Sequence, residues 1–180
     1  MKSDTAARRI ADPGRSQVEE KLRRRARITE EILSRTAIDE PMIKALVHTF
    51  YDKVRADPRL GPVFEQRIQD WTAHLDRMCS FWSSVALMTG QYHGSPMDKH
   101  VRLPVDSEHF DRWLELFDET VIEVCPPSAR DHLGQIARRV AQSLELGIAG
   151  NRGVLLGSNQ RYREGSLDAS GNEINYPPVE

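Results

Sequence analysis

Cysteine is scarce in this 180-residue chain: only Cys79 and Cys125 occur, too few for a disulfide framework and suited to a reducing cytosol. No apolar run approaches the roughly 20 residues that span a bilayer. The basic, polar N-terminus has no apolar stretch ahead of a cleavage site, so no signal peptide is visible. An excess of one charge is missing too. Lys+Arg 25 against Asp+Glu 27 leaves a formal charge of -2, which argues against nucleic acid as a partner. Sustained period-two alternation, internal repeats and flavin or dinucleotide motifs are also lacking. Together these absences predict one all-α, cytoplasmic domain, with no membrane partner.

What is present divides into a core and two tails. Residues 1–26 are arginine-rich, with the run Arg23-Arg24-Arg25, and form an extension expected to be flexible or helical. Residues 157–180 turn to Gly, Ser, Asn and Pro and are expected to be a disordered tail. Between them, residues 27–156 carry helical signals throughout. A short amphipathic segment begins at Thr29 to Leu33. Asp39 ahead of Pro41 opens a helix whose Ile43, Leu46, Val47, Phe50 and Val54 recur at threes and fours. Asp57-Pro58 stops it and Gly61-Pro62 turns a corner. The next helix, about Asp70 to Met88, places Trp71, Leu75, Met78, Phe81, Trp82 and Val85 on one arc. Breaks at Gly94 and Pro96 confine any helix before Pro104 to a turn or two. Asp106 or Ser107 caps a helix bearing Phe110, Trp113, Leu114, Phe117, Val121 and Val124. After Pro126-Pro127-Ser128, a last helix carries Leu133, Ile136, Ala137, Val140, Leu144 and Ile148.

Two of the six histidines stand apart. His74 lies inside an apolar arc, where a core histidine bonded to a carbonyl is the ordinary reading. His100 sits in the short proline-bounded stretch and belongs to no stripe; an exposed loop histidine is the ordinary reading there. His48, His93, His109 and His132 are assigned to surface or packing. Rings are unusually spread: Phe50, Tyr51, Phe64, Trp71, Phe81, Trp82, Phe110 and Trp113 fall on four helices. Flat side chains suit the grip of a planar apolar ligand, although large-residue packing also accounts for Trp71, Phe81 and Trp82. Tyr51 and Trp113 keep a polar tip that needs a partner when buried.

From about Ala26 to Leu156 the chain resembles the truncated haemoglobins, and within them the third group. The resemblance rests on Phe50-Tyr51-Asp52-Lys53-Val54-Arg55, Asp57-Pro58-Arg59-Leu60-Gly61-Pro62-Val63-Phe64 and Asp70-Trp71-Thr72-Ala73-His74-Leu75. It continues through Met78, Phe81-Trp82-Ser83-Ser84, Tyr92-His93-Gly94-Ser95-Pro96-Met97, His100, Leu103-Pro104 and His109-Phe110-Asp111-Arg112-Trp113-Leu114. The glycine pairs of the first two groups are absent from the loops. The resemblance implies a two-over-two helical sandwich around haem b (iron protoporphyrin IX), with His100 as the iron ligand. Tyr51, His74 and Trp113 match the polar positions of the distal face. Phe64 matches the phenylalanine packed on the haem, and Phe50 lies beside this set. Met78, Phe81, Trp82, Met97 and Phe110 complete the apolar walls, with Lys99, Arg102 and Tyr92 placed for the propionates. His100 needs an acceptor for its second nitrogen, which the sequence does not name.

The implied function is tight binding of oxygen and related diatomic ligands, for redox chemistry or detoxification rather than bulk oxygen transport. Peroxidase-like or nitric-oxide-oxidising turnover would draw electrons from a separate, unidentified reductase. Two other readings compete. One is a haem-based gas sensor signalling to a partner, supported only by the basic arm. The other is a cofactor-free helical interaction protein, which explains the periodicity but not His100 or the rings.

Overall fold

The computed structural model describes residues 13–158 and 160–163, with side chains from residue 17 onward. Its described residues form seven helices and no strand: α1 (Pro13–Thr36), α2 (Glu40–Ala56), α3 (Gly61–Glu65), α4 (Trp71–Leu87), α5 (Pro96–His100), α6 (Ser107–Val124) and α7 (Pro127–Asn151). None is long and apolar enough to cross a membrane.

The all-α expectation holds, and so does the pairing of helices. α2 packs on α4, α6 on α7, and the pairs meet through α2 on α6 and α4 on α7. That is a two-over-two sandwich. α2 lies at its centre because its stripe is deep: Ile43, Leu46, Val47, Phe50, Tyr51 and Val54 are all buried. The Asp39 carboxylate accepts from the Met42 amide at 2.8 Å, satisfying one of the amides that a helix start leaves unpaired. Asp70 does the same for α4 through the Ala73 amide at 3.0 Å. Asp106 and His109 form a reciprocal capping box on α6.

Gly61 makes the corner between α2 and α3 possible. A Cβ there would stand 2.8 Å from the Arg55 carbonyl oxygen, a backbone atom that cannot swing aside. The Asp57 carboxylate sits in the same corner, accepting from the amides of Arg59 and Leu60 at 3.0 Å each and from Arg112 Nε at 2.7 Å. Burial works against its charge, but these donors win and hold its carboxyl below the usual range.

Toward both ends of the described residues the structure goes beyond the pattern in the sequence. The amphipathic signal begins at Thr29, yet α1 is helical from Pro13. Residues 17–27 are exposed, so good helix formers such as Glu, Lys, Arg and Leu carry this stretch rather than burial. Residues 1–12 lie outside the described residues. The tail was expected to begin at 157, but Arg161, Tyr162 and Arg163 pack against α6 and α7. Tyr162 is fully buried with Val105, Phe110, Ile148 and Val154 in a second apolar cluster. Residues 164–180 lie outside the described residues.

Candidate functional site

The predicted site residues come mainly from α2, α4, α5 and α6, and the fold brings many into one run of touching rings. Tyr92 meets Phe81 at 5.3 Å between centroids, and Phe81 meets Trp82 at 5.7 Å. Trp82 stacks on Trp113 at 6.4 Å, and Trp113 meets the edge of Phe50 at 5.2 Å. Phe50 touches Tyr51 at 5.1 Å, and Tyr51 touches His74 at 5.0 Å and Phe64 at 5.9 Å. Most of these contacts are edge-to-face, the arrangement ring quadrupoles favour.

The polar atoms along this run are informative. Tyr51 is buried, and burial pushes its phenol well above the usual range. It therefore remains a protonated donor at any physiological pH. His74 is pushed down to about 4, first by burial and then by the nearby positive charge of Arg77. Its imidazole is therefore neutral at pH 7. The buried Nε2 of His74 has no hydrogen-bond partner among the described residues, an unusual state for a buried polar nitrogen.

His100 ends α5. Its Nδ1 lies 2.6 Å from the Pro96 carbonyl oxygen. A carbonyl can only accept, so Nδ1 carries the proton and Nε2 presents its lone pair. Pro96 thus provides the acceptor that the sequence left unnamed. Burial lowers the proton affinity of His100, against the opposing pull of that hydrogen bond. The helix itself rests on α7: Met97 covers Gly147, where any Cβ would collide with the Met97 sulfur.

The remaining predicted residues separate. Met78 packs against the main core, whereas Phe110 is buried in the second cluster with Tyr162. Lys99 and Arg102 are exposed on either side of His100. The histidines assigned to packing include His109, which caps α6, and His132, whose Nε2 lies 2.9 Å from the Ala86 carbonyl. Trp71, which the sequence left open between packing and ligand grip, touches both Tyr51 at 6.3 Å and His74 at 5.7 Å. Its buried indole nitrogen lacks a partner among the described residues, and the Arg55 guanidinium lies 4.6 Å over its ring. Its spacing three residues before His74 on one helix face was the available signal. Cys79 is half-buried and Cys125 buried, both as free thiols.

The residues fit an iron porphyrin. One imidazole has its proton committed and its lone pair open, a second buried imidazole nitrogen is unpartnered, and the rings of Tyr51 and Trp71 meet that second imidazole.

The family model of the bacterial-like globins matches residues 38–144, a stretch that includes every candidate site residue. The chain is 34% identical over 113 residues to the group 3 truncated hemoglobin of Campylobacter jejuni, covering 60% of this chain and 89% of that one. It is 28% identical over 100 residues to a group 2 truncated hemoglobin of Bacillus subtilis, covering 54% of this chain and 69% of the other. Among solved structures, the group III truncated hemoglobin from Campylobacter jejuni matches with a TM-score of 0.56 at 34% identity. That match covers 59% of this chain and 88% of the other.

Proposed function

This chain belongs to the bacterial-like globin family, and from that premise we propose that it binds haem b through His100 and so takes up oxygen or a related diatomic ligand. The observation that carries the proposal is the Nδ1 contact of His100 with the Pro96 carbonyl, because it fixes the tautomer with Nε2 open toward a metal. His100 would hold the haem through a neutral imidazole, and the haem would supply an iron able to bind a diatomic gas.

The protein's own part is donation and exclusion. Tyr51 offers a phenol proton that burial keeps in place, and Trp113 offers an indole N–H that cannot accept. A donor aimed at a partly negative ligand atom contributes about 1.5–3 kcal/mol, or about ten- to a hundred-fold in ligand release. Two donors favour slow release, which suits redox chemistry on the ligand over its delivery. His74, neutral at pH 7, can donate or accept a proton beside Tyr51. Electrons for turnover come from a separate reductase in this proposal.

An absorption spectrum of the purified full-length protein with haem tests the binding step. A Soret band is expected, and its loss of normal ligation in His100→Ala. No Soret band, or an unchanged spectrum in the variant, would overturn the assignment. Single-turnover decay of the oxygen-loaded protein by nitric oxide, with recovery by a cellular reductase, tests the redox role. Oxygen released faster than it reacts would point to delivery instead.

A further inference from the structure

The packed segment 160–163 lies beyond the family match, yet it connects to the backbone that follows His100. The Leu103 amide donates to the His100 carbonyl at 2.9 Å. The Leu103 carbonyl in turn accepts from Arg152 Nη2 at 2.6 Å. Through Nη1, Arg152 reaches the Tyr162 hydroxyl at 2.8 Å, and its guanidinium lies 5.5 Å from the centre of that ring. Beside it, the Asn151 side chain donates to the Val101 carbonyl at 3.2 Å. The end of α7 therefore holds two carbonyls within three residues of His100.

Tyr162 is itself firmly seated. Its ring has no exposed surface. Its amide donates to Glu145 Oε1 at 2.8 Å, and its carbonyl accepts from the Ser107 amide at 2.7 Å. Glu145 is buried on α7 and is paired by Arg161 Nε at 2.9 Å to each oxygen. A buried carboxylate with this many donors is costly to disturb, so the segment is an anchor rather than a trailing end.

We propose that residues 160–163 act as a strap on the His100 side of the site, with Arg152 and Tyr162 as positioning residues for the imidazole. The strap holds Arg152, Arg152 holds the Leu103 backbone, and that backbone fixes where α5 ends and how His100 is presented. Outer-shell partners of metal-bound histidines commonly matter by 10–100-fold in metal affinity or activity. A contact one step further out acts at the low end of that range. This inference rests on the reading of His100 as the haem ligand.

The test is resonance Raman spectroscopy of the ferrous, haem-loaded full-length protein, comparing wild type with Tyr162→Phe and Arg152→Gln. Both variants are expected to shift and broaden the iron–histidine stretching band and to lose haem about tenfold faster. The C–O stretch of the carbon monoxide complex, which reports the Tyr51 side, should stay in place. A band unchanged in both variants overturns the strap, as does a shift in Arg152→Gln with none in Tyr162→Phe. Should Arg152→Gln fail to fold, Tyr162→Phe, which removes one oxygen atom, decides alone. A wild type without the band would instead remove the His100 assignment, and the strap with it.

Discussion

Tyr51 and Asp57 show at the residue scale how burial can act in opposite directions. Tyr51 is buried without a compensating charge, so its phenol keeps its proton. Replacing it with Phe removes a donor while preserving the ring contacts to Phe50 and Phe64. Stopped-flow measurement of oxygen dissociation should show release about ten- to a hundred-fold faster; an unchanged rate would exclude Tyr51 as the donor. Asp57 is buried but surrounded by donors, and its pKa is lowered from 3.8. A depressed folded-state value means that its contribution is present above the unfolded value and is lost as pH falls through the folded one. In urea unfolding, Asp57→Asn should cost about 1–3 kcal/mol at pH 7, a cost that shrinks below about pH 4. An equal cost at pH 7 and pH 3 would contradict the charge-based account.

Helix starts and stops were largely legible one element at a time. Asp39 caps the helix it was expected to open, Asp106 rather than Ser107 caps α6, and Asp70, read only as an approximate start, caps α4. The chain leaves α4 where the pattern put its stop, at about Met88. Its C-cap is Met88, left-handed at φ 61° and half exposed at 47%, a conformation that favours glycine. Met88→Gly should therefore raise stability by about 0.5–1 kcal/mol in thermal unfolding. Gly61 predicts the opposite: alanine there meets the Arg55 carbonyl oxygen at 2.8 Å. A loss of about 1–3 kcal/mol is expected, and a neutral result would mean the corner can relax. For the extension up to residue 26 the sequence left flexible and helical both open, and α1 is helical from Pro13. Periodicity could not choose, because residues 17–27 bury no face.

At the scale of the whole molecule, the second apolar cluster joins segments far apart in sequence: the turn after α5, α6, α7 and the strap. Tyr162 is its largest fully buried member. Tyr162→Ala should cost about 3–5 kcal/mol, read as an earlier midpoint in denaturant unfolding. A change of only a few tenths would mean that the segment rests loosely. Nothing local announced this burial. Tyr162, set among Gly, Ser, Asn and Arg, has the surroundings of a tail, and the cluster it joins reaches back to Val63.

Local interactions are encoded over three or four residues, so the sequence alone determined the helices, their caps and the ring-rich faces of α2, α4 and α6. Family resemblance then singled out His100, Tyr51, His74 and Trp113. Only tertiary structure could decide what each nitrogen and hydroxyl meets. The proton on His100 Nδ1 is directed by the Pro96 carbonyl, a relation of one helical turn that side-chain pattern does not report. Trp71 joins Tyr51 and His74 because α2 and α4 cross there. Arg152 reaches Leu103 across 49 residues, a pairing that exists only once α7 lies beside α5. Contacts between such distant segments depend on how helices pack, which periodicity along one helix does not record.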